Sequence, residues 1–157
     1  MSKAIQTLKN LEAAFAGESM AHIKYLHFAK VARALGDEDV ALHFEHTAAQ
    51  EVAHALGHAD LLFPAKTLTT KRVLELAIEG ETHEYTEMYP QFKQTAIDEQ
   101  HLNAAGEFNE QIAESAEHAE AFTALLKTAE KRFNALAKVE ERHANAYTQI
   151  LNQQESK

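Results

Sequence analysis

Seven residues able to bind metal lie where a helical protein would place apolar side chains. Glu18 falls between Phe15 and Tyr25 on one apolar line, and Glu51 and His54 continue a line from Phe44 and Thr47. Glu81 and Glu84 follow Ile78 in the same way, and Glu140 and His143 follow Leu136. Any one of these carboxylates reads as a stripe-edge residue reaching water. All together they do not: burying one unpaired carboxylate costs several kcal/mol, against a net domain stability of about 5–15 kcal/mol. A cationic partner is required.

Two metal ions meet that requirement. The five glutamates and two histidines offer five negative charges and two neutral nitrogen ligands. The segments "EVAH" (51–54) and "EERH" (140–143) are Glu-x-x-His motifs. Residues i and i+3 share a helix face, so both side chains of each motif reach one ion. One such motif is weak. Two of them, opposite helices that carry in-stripe glutamates, make the four-helix carboxylate site of di-iron and di-manganese bundles.

The elements that must position these residues are helices. The 157 residues include five glycines and two prolines, with 45% hydrophobic residues, enough for one all-α domain over 1–157. The pattern predicts helices over about 3–35, 37–62, 70–97 and 104–151. Ser2, Asp37 and Thr69 or Thr70 are the expected N-caps, and Gly36 the first helix end. Pro90 is expected to kink the third helix rather than end it. A formal charge of −9 argues against nucleic acid and anionic membrane as partners. The absence of Cys excludes thiolate-ligated metal and thiol nucleophiles. No apolar run approaches a membrane span, and "MSKAIQTLKN" lacks a signal peptide's apolar core, so the expected location is cytoplasmic.

The chain also repeats itself. "LEAAFAGES" (11–19) matches "LELAIEGET" (74–82), pairing Glu18 with Glu81 at an offset of 63. "FEHTAAQEVAHA" (44–55) matches "FNALAKVEERHA" (133–144), pairing Glu51 with Glu140 and His54 with His143 at an offset of 89. A second candidate, "FNEQIAESAEHAEAFTALL" (108–126), aligns with "FNALAKVEERHANAYTQIL" (133–151) at an offset of 25. By length the first copy fits the repeat better, since Phe44 to Phe108 is an offset of 64. By ligand chemistry the second fits better, because the first copy has Ser115 where the glutamate belongs and leaves Glu114 or Glu117 off the required face. The expectation therefore rests on Glu140 and His143, with His118 and Glu114 as the alternative. The extra segment of about 25 residues then forms a fifth helix, with a break near 127–131, or lengthens the last helices.

"AFAGES", "QEVAHA" and "GETHEYTEMYP" resemble rubrerythrin, the ferritin-like di-iron peroxidase family, over most of residues 8–151. The resemblance implies a ferritin-like four-helix bundle holding two iron ions, Fe2+ or Fe3+. The same kind of donor set accepts manganese. It implies Glu18, Glu51, His54, Glu81, Glu84, Glu140 and His143 as ligands, with Tyr25 and Tyr89 hydrogen-bonding ligand carboxylates. It further implies that one iron exchanges Glu84 for His54 on reduction. The implied activity is reduction of hydrogen peroxide to water in oxidative-stress defence. The alternatives are a ferroxidase oxidising Fe(II) with oxygen or peroxide, and a non-catalytic metal-stabilised helical module. Full-length rubrerythrins carry a Cys-ligated rubredoxin iron, so these cysteine-free residues call for an external donor such as a rubredoxin-like protein.

A homodimer is expected, in a domain-swapped form. In ferritin-like bundles the second and third helices run parallel, so the chain must return the length of the bundle between them. The return amounts to about 30 Å at about 1.5 Å per helical residue. "PAKTLTT" (64–70) spans only about 23–25 Å fully extended.

Overall fold

The computed structural model describes residues 3–155, so the expected Ser2 cap lies outside the described residues. Five α-helices account for most of the chain: α1 (Lys3–Ala34), α2 (Glu38–Leu62), α3 (Thr70–His83), α4 (Tyr89–Asp98) and α5 (Leu102–Glu155). A 3-10 turn (Ala65–Thr67) precedes α3, and a π-helical segment (Glu84–Met88) joins α3 to α4. The all-α class expected from composition is the class observed. No helix is long and apolar enough to cross a membrane among the described residues.

Local chemistry sets the boundaries. Asp37 caps α2 by accepting from the Val40 N–H at 3.3 Å, and Thr69 caps α3 by accepting from the Arg72 N–H at 3.1 Å. Glu38 and Asp39 complement the positive end of α2. Helix α2 stops at Leu62, ahead of Pro64. Pro90 does not end the helical run; its consequence is the π segment. Lacking an N–H, it cannot serve the carbonyl four residues back, and the neighbouring Tyr89 N–H reaches the Glu84 carbonyl five residues back.

The chain forms two compact units, Met1–Leu68 and Thr69–Lys157. In the first, α1 packs along α2 as a hairpin. Its turn is closed by Leu35 N–H to Val31 O (3.0 Å), Gly36 N–H to Arg33 O (3.1 Å) and Asp37 N–H to Ala32 O (3.0 Å). Gly36 sits at φ 88°, the left-handed conformation that ends helices. Arg33 fastens the corner, reaching Glu38 at 3.0 Å and Glu45 at 2.8 Å.

The second unit repeats this hairpin at an offset of 64. Its turn bonds are Glu99 N–H to Thr95 O (2.9 Å), Gln100 N–H to Ile97 O (3.1 Å) and His101 N–H to Ala96 O (2.8 Å). Gln100 occupies Gly36's place and shares its left-handed geometry, at φ 63°. Buried alanines correspond as Ala32 to Ala96, Ala41 to Ala105 and Ala55 to Ala119. The aromatic contacts also correspond: Tyr25 and Phe28 lie 5.7 and 5.6 Å from Phe44, as Tyr89 and Phe92 lie 6.1 and 5.7 Å from Phe108. The matching partner of Phe44 is therefore Phe108, not Phe133.

Helix α5 is one continuous 54-residue helix, with no break near 127–131. The extra residues lengthen the last helix instead of forming a fifth element, because no Gly or Pro interrupts 107–155. Among the described residues, the buried apolar side chains are all alanines. Small residues let paired helices approach closely, while Leu and Phe flank the seam half-covered, since one helix cannot enclose them.

Gly36→Ala forces a Cβ into left-handed geometry and should lower stability by about 1 kcal/mol, or about 2–4 °C in melting temperature. Gln100→Gly relieves the same strain and should leave melting unchanged or raise it. Thermal unfolding followed by circular dichroism checks both.

Candidate metal centre

Each unit carries its own cluster of carboxylates with a histidine. In the first, one ligand atom each from Glu18, Glu51 and His54 lies within 4.8 Å of the others. Helix α1 supplies Glu18; α2 supplies the Glu-x-x-His pair, with His54 Nδ1 2.9 Å from Glu51 Oε2. Registration of the two helices comes from His22, whose Nδ1 bonds the Ala48 carbonyl at 2.8 Å. That contact requires the proton on Nδ1. Because His22 lies one turn after Glu18 and Ala48 nearly one turn before Glu51, the bond holds the two carboxylates opposite one another.

The second unit presents Glu81 from α3 and Glu84 from the π segment. Opposite them on α5 stand Ser115 and His118. Ser115, 3% exposed, donates its hydroxyl to Glu84 Oε2 at 3.0 Å. His118 Nδ1 lies 3.4 Å from Glu81 Oε2. That is ion-pair range without hydrogen-bond geometry, and Glu81 Oε2 is buried with no hydrogen-bond partner. Burying such an oxygen is costly unless it is compensated, and a cation at this point would compensate it.

The π segment explains an irregularity in the repeat. Glu18 and Glu81 are 63 apart, while Tyr25 and Tyr89 are 64 apart. A π-bulge adds one residue to a helix, and this one falls between those pairs, at Glu84–Met88. The matching stretch of α1 has Met20 and Ala21 near the position of Glu84, so only the second half carries the additional carboxylate.

The structure sets Ser115 and His118, not Glu140 and His143, opposite Glu81 and Glu84. Glu140 and His143 stand 3.7 Å apart on exposed helix, 77% and 59% open to solvent. They follow Ser115 and His118 by 25 residues, about 37 Å along α5. The turn at Gln100 fixes the level at which α5 passes α3, so chain length, not motif quality, sets which copy stands beside Glu81 and Glu84. Glu114 is exposed and accepts from Gln111 at 3.5 Å, away from the pair. The offset of 64 from Phe44 to Phe108 was the signal for this outcome, and the better ligand chemistry of the later copy obscured it.

Neither tyrosine hydroxyl hydrogen-bonds a ligand carboxylate among the described residues. Tyr25 lies against Phe44 and Tyr89 stacks on Phe108. Tyr89 nonetheless senses the site. Burial first, then the negative charges of Glu84, Glu81 and Glu107, raise its phenol above the ordinary value.

An all-helical chain with paired carboxylates and Glu-x-x-His spacing belongs to the ferritin-like carboxylate class of metal proteins. Residues 9–126 match the rubrerythrin family model, and the chain belongs to that family. The matched range contains the Ser115 copy and ends before the Glu140 copy. Rubrerythrin of Porphyromonas gingivalis is 38% identical over 135 residues, covering 79% of this chain and 68% of that protein. Nigerythrin of Nitratidesulfovibrio vulgaris is 36% identical over 131 residues, covering 75% of this chain and 64% of its own. The solved structure of fully reduced, all-ferrous nigerythrin is 34% identical, covering 79% of this chain and 67% of that one, with a TM-score of 0.40. The chain spans about two thirds of the length of these relatives. Membership places it among the di-iron oxidoreductases.

If Ser115 and His118 belong to the centre, His118→Ala should weaken iron retention by at least about tenfold, and His143→Ala should leave it unchanged. Iron titration of both variants decides between the copies. Tyr89, in metal-free protein, should ionise only above pH ~10, read as the phenolate absorbance lost in Tyr89→Phe. Because the folded state holds this proton more tightly than the unfolded chain, its support for folding is full below pH ~10. It is lost as pH rises from there through the folded value.

Proposed function

We propose that this chain is a di-iron peroxide reductase whose ligands are Glu18, Glu51 and His54 from the first unit and Glu81, Glu84 and His118 from the second. The observation that carries the reading is the repeated half-site, and within it the buried, unpartnered Oε2 of Glu81. Four carboxylates and two neutral imidazoles balance the charge of two divalent ions. Oxygen and imidazole donors suit iron, and manganese competes for the same set.

When bound, the iron pair supplies the two electrons that, with two protons, convert hydrogen peroxide to two waters. The protein's own residues position ligands and protons. Ser115 stands at the place equivalent to Glu51 and holds Glu84 Oε2 by a hydrogen bond, leaving the other oxygen of Glu84 free to bind. Its hydroxyl removes one negative charge from the second half-site relative to a glutamate there. Tyr89 stays protonated beside Glu84 and Glu81 at neutral pH, a neutral phenol able to donate to a ligand carboxylate or to substrate. None of the 157 residues is a cysteine, so electrons reach the site from a donor outside these residues, of the rubredoxin type.

The six ligands come from both units, and we infer that a homodimer completes the set by exchange between chains. The segment between α2 and α3 runs only from Phe63 to Thr69 and spends three residues on a 3-10 turn, which shortens its reach further.

Reconstituted under anaerobic conditions, the protein should hold two iron ions per chain and consume peroxide catalytically when a rubredoxin and its reductase are supplied. Stoichiometric Fe(II) oxidation with release of the Fe(III) product, without catalytic peroxide consumption, would instead make the protein a ferroxidase. Mixing inactive Glu18→Ala with inactive Glu81→Ala chains during refolding tests the exchange, since a swapped heterodimer regains one complete site. Verified heterodimers without activity would exclude it.

A further inference from the structure

Past the start of α3, helix α5 continues without its earlier partner. Lys71, the second residue of α3, reaches Glu130 at 3.4 Å, and Thr70 shares a groove with Arg132. Beyond this level about 20 helical residues follow, to Glu155. Apart from the half-buried Val139, their large apolar side chains are open: Phe133 is 45% exposed, Leu136 53%, Tyr147 68% and Ile150 53%.

These residues form a seam. Phe133, Leu136, Glu140, His143, Tyr147 and Ile150 are spaced alternately three and four apart, the a/d spacing of a helix that pairs with another helix. The seam is symmetric about a point between Glu141 and Arg142. An antiparallel second copy centred there sets Leu136 against Tyr147, Phe133 against Ile150, and Glu140 against His143, each pair occurring twice. Every apolar seam residue meets an apolar one, and the two polar residues meet each other. A parallel copy would put Glu140 on Glu140 and His143 on His143, leaving like groups together at the centre. Flanking positions are small at Ala137, Ala144 and Ala146, so the helices can approach closely.

We propose that residues 133–150 of α5 are a self-association surface. A second copy of the chain docks on it antiparallel, with Glu140 and His143 as the polar layer that sets register. This gives the later Glu-x-x-His motif a role separate from the metal centre. The helix is already formed on the folded unit, so association does not bear the cost of ordering it.

The chain has no cysteine, which makes cross-linking selective. One population carries Leu136→Cys and another Tyr147→Cys, each in the full chain. In the antiparallel seam a residue and its own copy lie about 16 Å apart along the axis, beyond disulfide reach, whereas 136 and 147 are adjacent. Oxidising the mixture should give a disulfide-linked heterodimer, and each population alone should stay unlinked. Self-linking of either population alone overturns the antiparallel register. Absence of linking in the mixture, with helix content and melting unchanged, overturns the surface, including the case in which other parts of the chain cover it. A second measurement uses side chains whose exposure makes unfolding a remote concern. Glu140→Lys should weaken association along this seam at least tenfold, and adding His143→Glu to it should restore association by setting opposite charges across the layer again. A double variant no tighter than the single one overturns the Glu140–His143 layer. The cross-link reports this seam alone, whatever assembles the metal centre.

Discussion

The site depends on carboxylates placed at helix–helix contacts where the buried apolar residues are alanines. Glu81 Oε2 is the clearest instance, enclosed by protein with no hydrogen-bond partner and only an imidazole nitrogen at 3.4 Å. Hydrophobic burial by alanine is modest, about 25 cal/mol per Å2 of apolar surface. Compensation for a buried carboxylate therefore has to be electrostatic. A metal pair bound there would supply it, and would couple the stability of the helical pairs to the metal they hold.

Duplication gives the two units similar hairpins and similar carboxylate clusters, and small departures make them different. The hairpin turn, the alanine seam and the aromatic trio recur at an offset of 64. Against that background two departures matter. The π segment inserts one residue and with it Glu84, while the place equivalent to Glu51 holds Ser115. The second half thus gains a carboxylate on one helix and lacks one on the facing helix, and the Ser115 hydroxyl binds the carboxylate gained. A phenol held protonated by burial and by Glu84 and Glu81 completes the asymmetry.

Helix α5 serves two ends. Its first part carries Ser115 and His118 past α3; its last part repeats the same sequence pattern with Glu140 and His143 on exposed helix. Two segments of related sequence on one helix have different environments because only the first lies level with Glu81 and Glu84.

The sequence by itself determined the helical class, the caps at Asp37 and Thr69, the αL residue at Gly36, and the candidate ligands Glu18, Glu51, His54, Glu81 and Glu84. Each depends on local periodicity, on backbone preference, or on the cost of placing a carboxylate in an apolar stripe, and all of these are written in neighbouring residues. It also showed the repeat, but left two copies of the last motif in competition. Tertiary structure sets Ser115 and His118, not Glu140 and His143, beside Glu81 and Glu84, and it shows a π segment just ahead of Pro90 and the extra residues extending α5. Which residue on a 54-residue helix faces Glu84 is set by the turn at Gln100 and the packing of α5 on α3. Motif quality carries no information about that level: Glu140 and His143 have the better ligand chemistry, yet stand about 37 Å along α5 from Ser115 and His118.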